Sequence, residues 1–174
     1  MNKEGENRGT PVTPDFVEGP WYEDLLIGST IKHPRGRTIT EADCIWISLL
    51  VGDRNQIHIN KLYSEENYPM PPFNGQLVVN GLFVLMVVNA ITSPETSVSG
   101  VFLGLDKVSM SSPVFPGDTL FASSTILDKR ASKKRPDMGI VKISVEGFKK
   151  QDTVVISYEK TFMIKKKNKF EGEN

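Results

Sequence analysis

Cysteine and histidine are scarce in this chain. Its 174 residues include one cysteine, Cys44, and two histidines, His33 and His58. A lone cysteine excludes an intramolecular disulfide, and three such residues are a poor basis for a Cys/His zinc site. We therefore expect a protein with neither a disulfide nor a metal cofactor. A reducing, cytoplasmic compartment fits this composition.

Net charge and long apolar runs are also lacking. Lys and Arg balance Asp and Glu at 21 each, so no overall field attracts nucleic acid or an anionic membrane. The longest apolar run, residues 77–91, is interrupted by polar residues and is too short for a membrane span. Residues 1–20 are polar and lack the apolar core of a signal peptide. We expect these residues to form an N-terminal extension and residues 166–174 to form a polar C-terminal tail.

Two segments predict helices. Thr40 to Asp43 is a near match to a capping box, and apolar residues with helical spacing follow it until Gly52. The apolar positions of this first helix are Ile45, Trp46, Leu49 and Leu50. Residues 75–92 are apolar nearly all round, which predicts a long helix that is covered on most sides. A short turn of helix is expected near residues 64–67.

Strand-like segments fill the second half of the chain, and residues 21–165 are expected to form one domain. The segments are 100–110, 119–128, 139–149 and 153–165, with a short strand at 37–40 ahead of the first helix. Turn residues separate them, and short connections indicate antiparallel hairpins. One apolar helix with four or five antiparallel strands predicts an α+β domain in which the sheet wraps around the helix.

The segment from Gly52 to His58 contains the one plausible acid/base pair. Asp53 and His58 are five residues apart in sequence. On a helix their side chains would therefore point roughly 140° apart, and on a strand they would point to opposite faces. A turned loop, which Gly52 and Asn55 permit, would bring both to one point. A carboxylate and an imidazole at one water suit proton transfer near neutral pH. The alternative is that Asp53 caps a helix and His58 lies on the surface.

Four motifs, in this order and spacing, resemble the MaoC-like dehydratase family over residues 21–164. They are Trp21 to Gly28 with Gly36 to Asp43, then Gly52-Asp53-Arg54-Asn55-Gln56-Ile57-His58, Val79-Asn80-Gly81-Leu82, and Pro113 to Leu120. Residues 36–40 and 135–141 resemble the branch that includes mesaconyl-CoA and itaconyl-CoA hydratases. Two positions depart from the family pattern: Gln56 stands where Pro is usual, and Asn80 stands where His is usual. We expect Gln56 to be tolerated in a turn, whereas Asn80 removes one hydrogen-bond donor of the family.

The resemblance implies a hot-dog fold and a homodimer or higher homo-oligomer. It also implies hydration of a 2-enoyl-CoA, or the reverse dehydration of a 3-hydroxyacyl-CoA, on a short branched or dicarboxylic acyl group. Coenzyme A would enter as part of the substrate, with no other cofactor. Asp53 and His58 would form the catalytic pair. Asn55, Asn80 and Gly81 would bind substrate: Asn55 through its amide, which would orient Asp53 or the substrate, and Gly81 through nearby N–H groups that face the enolate oxygen.

Several further residues have both a functional and a structural interpretation. The basic residues between Lys129 and Arg135 either contact the phosphates of coenzyme A or form a solvated hairpin tip. Arg54 either meets a substrate carboxylate or is an exposed loop residue. Cys44 is expected to be a small buried residue rather than a nucleophile. His33 is expected to be structural or exposed, and Asp137 is expected to be a turn residue.

Two other functions are compatible with the resemblance. A hot-dog thioesterase would also bind an acyl-CoA but would release the free thiol. A non-catalytic acyl-thioester-binding subunit would keep the fold without the reaction. The presence of both Asp53 and His58 argues against this third possibility, because loss of one of them would be the expected mark of an inactive relative.

Overall fold

Six β-strands and three α-helices make up residues 20–97 and 100–167, the part of the chain that the computed structural model describes. The elements are β1 (Thr30–Lys32), β2 (Arg37–Thr38), α1 (Glu41–Leu50), α2 (Lys61–Asn67), α3 (Gly81–Thr96), β3 (Val101–Met110), β4 (Thr119–Ala131), β5 (Met138–Lys149) and β6 (Thr153–Lys165). The expected extension and tail lie almost entirely outside these residues. No helix within the described ranges combines the length and hydropathy of a membrane span.

The strands form one antiparallel sheet in the order β1-β4-β5-β6-β3, with β2 paired to β4 beside this path. The predicted hairpins β4–β5 and β5–β6 are confirmed. The connection from β3 to β4 is not a hairpin, because β3 pairs with β6 instead. Residues 111–118 cross the end of the sheet, where Val114 is buried and its carbonyl oxygen accepts a hydrogen bond from the Val79 N–H at 2.8 Å. This crossing segment therefore anchors the chain just ahead of α3.

Helix α3 is the buried helix, but its bounds differ from the predicted 75–92. Residues before Gly81 are extended, because the N–H groups of Val78 and Val79 bond to carbonyl oxygens of neighbouring segments rather than within a helix. At the other end the helix continues through Pro94 to Thr96. Proline usually breaks a helix interior, yet here the Ser97 N–H still donates to the Ser93 carbonyl at 2.8 Å.

The sheet wraps around α3, as predicted for an α+β domain. Val84, Val87, Val88 and Ile91 of α3 are buried against the inner faces of the long strands. At Gly147 of β5 the helix comes so close that a Cβ atom would lie 2.6 Å from Val88 Cγ2. Burial of one such valine contributes about 1.5–3 kcal/mol, so this face of α3 is the main apolar core.

Helix α1 buries small side chains and exposes most of its large apolar ones. Its buried residues are Cys44 and Ser48, whereas Trp46 is 73% exposed and Leu50 is 79% exposed. The inner face of α1 is instead occupied by the Cys44 thiol, which donates to backbone carbonyls of the segments beneath it. Trp46, Leu49 and Leu50 therefore lie on the surface, whereas Ile45 packs against the core.

Candidate active site

Helix α1 delivers Asp53 to the site. The predicted capping box is present: Thr40 Oγ1 accepts from the Asp43 N–H at 3.1 Å, and Asp43 Oδ2 accepts from the Thr40 N–H at 2.9 Å. At the far end the chain turns at Gly52, whose φ of +71° lies in the left-handed region that glycine tolerates best. The Asp53 N–H then donates to the Ser48 carbonyl at 2.8 Å, which fixes Asp53 directly behind the helix.

The loop after Asp53 is turned, as the spacing predicts. Asp53 Oδ1 accepts from the Asn55 N–H at 2.9 Å, and Asn55 Oδ1 accepts from the Ile57 N–H at 3.3 Å. These bonds close two successive turns and start a 3-10 helix over Gln56–His58. Gln56 is its first residue, a position that proline also suits, so the departure at Gln56 changes nothing in the turn.

The geometry of His58 identifies its proton. Nδ1 lies 2.6 Å from the Val78 carbonyl oxygen, which can only accept, so Nδ1 carries the hydrogen. Nε2 of the neutral ring is then an acceptor, and it lies 3.7 Å from Asp53 Oδ2. That distance is too long for a direct hydrogen bond but allows one water or hydroxyl to contact both atoms. The side chains of His58 and Asp53 are 13% and 25% exposed, so the pair remains open to solvent.

Asp53 is held in its ionised form. The backbone N–H of Asn55, the Asn80 side chain and nearby His58 lower the pKa of this carboxyl below its ordinary value of 3.8, against a smaller opposing effect of burial. A lowered pKa means that the carboxylate is present at all pH values above that range and is lost only in acid. Asp53 is therefore a base at neutral pH.

Asn80 and Gly81 start helix α3 beside the pair. Asn80 Oδ1 accepts from the N–H groups of Leu82 and Phe83 at 2.9 and 3.3 Å, while Asn80 Nδ2 donates to Asp53 Oδ2 at 2.7 Å. The Gly81 N–H precedes these amides, and within the described ranges no acceptor takes a hydrogen bond from it. This amide at a helix N-terminus suits an oxyanion.

A cavity of about 300 Å³ opens beside His58 and Gly81. Most of its wall is apolar, from Phe73, Val84, Met110, Val114 and Val155 among others. Met110 Sδ fills the space that a side chain at position 81 would need, which is a local reason for glycine there. The cavity has the size and character of an acyl-group pocket.

Two of the predicted substrate-binding residues are placed differently from the expectation. Neither Asn55 nor Asn80 lines the cavity. Asn55 orients Asp53, but through its backbone N–H rather than its side-chain amide, whose oxygen caps the 3-10 helix. Asn80 uses both ends of its amide on the protein. Gly81 does line the cavity.

Cys44 has a structural position, as predicted. Its thiol is fully buried and donates to the carbonyl oxygens of His58 and Val78 at 3.3 and 3.4 Å. Burial raises the pKa of this thiol to about 11, so the nucleophilic thiolate is absent near neutral pH. Cys44 therefore ties α1 to both segments that hold the His58 ring.

His33 is also structural and lies outside the site. It is buried, with Nδ1 2.8 Å from Glu95 Oε2 and Nε2 2.9 Å from Ser124 Oγ. Arg35 donates to the other oxygen of Glu95 at 2.6 Å. This network joins the end of α3 to the strand β4 and leaves the ring no free nitrogen for catalysis.

The basic residues of the β4–β5 tip do not reach this cavity within the chain. Val155 of β6 lines the cavity, while Lys165, at the other end of β6, pairs with Met138 beside the tip. About ten residues of strand separate them, which is roughly 30 Å. Lys129 is in addition held by the carbonyl oxygens of Tyr22 and Leu25, both at 2.8 Å. The structural interpretation of this cluster therefore fits the fold of one chain, whereas the contact with coenzyme A phosphates stays a prediction.

An important contact that sequence patterns could not predict is made by the backbone. The Val78 carbonyl fixes the ring of His58, and a carbonyl is present at every position, so no residue type marks it.

Arg54 is exposed beside Asp53 and makes no ion pair with the described residues.

An antiparallel sheet wrapped around one helix, with a polar pair at the N-terminus of that helix, defines the chain as a hot-dog protein. A Mycobacterium tuberculosis protein with a double hot-dog fold superposes with a TM-score of 0.72 at 17% identity, over 89% of this chain and 47% of that one. A MaoC-like dehydratase from Rhodospirillum rubrum superposes with a TM-score of 0.72 at 19% identity, over 85% of this chain and 98% of that one. The predicted fold is confirmed.

The chain belongs to the mesaconyl-CoA hydratase family, whose sequence model matches residues 14–174. The β-methylmalyl-CoA dehydratase of Chloroflexus aurantiacus is 28% identical over 155 residues, which are 86% of this chain and 41% of that protein. The chain thus spans about two fifths of the length of the curated relatives that it matches. The predicted membership of the MaoC-like dehydratases, in this branch, is confirmed.

Proposed function

We propose that the protein is a hydro-lyase that adds water across the 2,3 double bond of a short 2-enoyl-CoA, or removes it from the 3-hydroxyacyl-CoA. The observation that carries the proposal is the pair Asp53 Oδ2 and His58 Nε2, which lie 3.7 Å apart, together with the apolar cavity that His58 lines. Names of relatives support the reaction: one is a β-methylmalyl-CoA dehydratase. Coenzyme A enters only as part of the substrate, in the cytoplasm, and no metal or other cofactor takes part.

Asp53 and His58 act in the reaction first as proton acceptor and then as proton donor. A water between the two side chains loses one proton to the pair while its oxygen bonds to C3 of the enoyl group. The electrons of the double bond move onto the thioester oxygen, where the Gly81 N–H stabilises the enolate. The pair then returns one proton to C2, so it ends in its initial state.

A panel of acyl thioesters tests the function. Crotonyl-, mesaconyl- and itaconyl-CoA are incubated with the protein, and the products are identified by mass spectrometry. We expect a product heavier by one water with the thioester intact for at least one member. Release of free coenzyme A would indicate a thioesterase instead. Tight binding of the panel without any turnover would indicate a non-catalytic acyl-thioester-binding subunit.

We propose that a second copy of this chain covers the outer edge of strand β3, which gives a homodimer. Strand β3 ends the sheet, and among the described strands it pairs only with β6. Its exposed apolar residues are Val101, Phe102, Leu103, Val108 and Met110. An exposed apolar edge favours association with another strand. The double hot-dog relative, of which this chain spans 47%, provides a precedent for two such units side by side.

Charge on the β3 edge is expected to separate the copies. Replacing Leu103 and Val108 together by Lys introduces charge into the proposed contact, so the molar mass from light scattering should fall from two chains to one. Leu62→Lys on α2 is the matched control, because Leu62 is an exposed apolar residue outside this edge. A wild-type protein that is monomeric at micromolar concentration, or a double variant that stays dimeric, would contradict the proposal.

A further inference from the structure

Asn80 joins the two elements that carry the chemistry. Its Oδ1 accepts from the N–H groups of Leu82 and Phe83, and its own carbonyl accepts from the Val84 N–H at 3.1 Å. Its Nδ2 donates to Asp53 Oδ2 at 2.7 Å. One side chain therefore contacts both the loop behind α1 and the start of α3.

The hydrogen-bond partners of the Asn80 side-chain amide fix its orientation. The helix N–H groups can only donate, so they require the oxygen of Asn80, and the ionised carboxylate of Asp53 can only accept, so it requires the nitrogen. A flipped amide would lose all three bonds. Asn80 therefore links the carboxylate of Asp53, which needs a hydrogen-bond donor, to the start of α3, which needs an acceptor.

Asn80 bonds to the carboxylate oxygen of Asp53 that faces His58. Oδ2 is the atom that faces His58 Nε2, while Oδ1 is held by the Asn55 N–H. Rotation of the carboxylate would break both hydrogen bonds, so Oδ2 is held on the side of His58. The same Asn80 leaves the Gly81 N–H, one residue on, as the first amide of α3, without an acceptor among the residues that the structure describes.

We propose that Asn80 is a positioning residue whose side chain fixes the Asp53 base and the Gly81 oxyanion donor relative to each other. This inference rests on the proposed hydro-lyase function and assigns a role to the position where the chain departs from its family. Asn80 contacts no substrate. It keeps Oδ2 ionised and correctly aimed, and it caps the helix whose first N–H faces the thioester oxygen.

The decisive variant is Asn80→Asp, which separates positioning from capping. Asp caps a helix as well as Asn, so the cap of α3 should be retained. It places a second carboxylate against Asp53, and the repulsion between them raises the pKa of one of the two. We expect kcat at pH 7 to fall about tenfold or more, and the acid limb of the kcat profile to move upward by more than one pH unit. KM should change little.

Two further variants complete the series. Asn80→Ser keeps a capping oxygen but is too short to reach Asp53, so kcat should fall about threefold to tenfold without loss of thermal stability. Asn60→Asp is the matched control, because Asn60 caps α2 with Oδ1 on the Tyr63 N–H at 3.2 Å. This control should leave both kcat and the pH profile unchanged.

A measurement without substrate keeps the inference distinct from the proposed function. The side-chain carboxyl carbon of Asp53, assigned by the loss of its signal in Asp53→Asn, is titrated by NMR. In Asn80→Ser and Asn80→Asp the pKa of Asp53 should rise above that of the wild type, whereas in Asn60→Asp it should not. If this titration moves while the wild type hydrates no enoyl-CoA, the proposed function fails and the link stands. An unmoved titration, or equal losses of kcat in Asn80→Asp and Asn60→Asp, would overturn the positioning role.

Discussion

Replacing Asp53 by Asn is expected to lower kcat for enoyl-CoA hydration by about 10²-fold or more. The substitution keeps the shape of the side chain and removes its charge, so the base that faces the shared water is lost. The turn should survive, because an amide oxygen can still accept from the Asn55 N–H. Steady-state rates at pH 7, with the thermal unfolding midpoint as a check of folding, give the measurement.

The matched control for this change is Asp137→Asn. Asp137 lies in the β4–β5 turn and contacts Arg135 at 3.5 Å on the protein surface, away from the cavity. This variant should retain the wild-type kcat. Hydration by Asp53→Asn at a rate near that of the wild type would remove Asp53 from the mechanism.

Replacing His58 by Ala is expected to have an effect of similar size, about 10²-fold or more on kcat. The change removes the Nε2 that faces Asp53 and also releases the Val78 carbonyl that held the ring. KM should change less than kcat, because the apolar wall of the acyl pocket remains. The same steady-state assay measures both quantities.

His33→Asn separates a catalytic histidine from a structural one. His33 bonds to Glu95 and Ser124 in a buried network, so its loss should lower the midpoint of thermal unfolding. The kcat of the folded fraction should stay that of the wild type. If His33→Asn lowered kcat as much as His58→Ala does, the assignment of catalysis to His58 would be wrong.

Local sequence features predicted the active-site loop well. The capping box at Thr40, the left-handed glycine at Gly52 and the turn at Asn55 each act within three residues, so their effects can be predicted without the fold. Together they bring Asp53 and His58 to one point. The strands β4 to β6 were predicted for the same reason, since enrichment in β-branched or aromatic residues and turn residues are local features.

Features that depend on distant contacts were predicted poorly. Helical spacing marks the apolar positions of α1 but not the side that is buried: Trp46 and Leu50 are exposed, and the inner face meets backbone carbonyls through Cys44. The short connection between β3 and β4 indicated a hairpin, yet β3 pairs with β6 on the other side. Neither outcome follows from spacing, because each depends on which surfaces meet after folding.

Asn80 shows the same limit at the level of one residue. In sequence it replaces a histidine and removes a donor that the family commonly has. In the structure it supplies a donor of its own, from Nδ2 to Asp53 Oδ2 at 2.7 Å, while its oxygen caps α3. The residue type was visible in the sequence, but its partner, 27 positions earlier, was not.

The most direct test of the central claim, that Asp53 and His58 add water to an enoyl thioester, is a reaction in H₂¹⁸O. A 2-enoyl-CoA that the panel identifies as substrate is incubated with the wild type and with Asp53→Asn, and the products are analysed by mass spectrometry. We expect one ¹⁸O in the 3-hydroxyacyl group, with the thioester intact, and almost none of this product from the variant. Free coenzyme A together with ¹⁸O in a released carboxylate, or equal labelled product from both proteins, would contradict the claim.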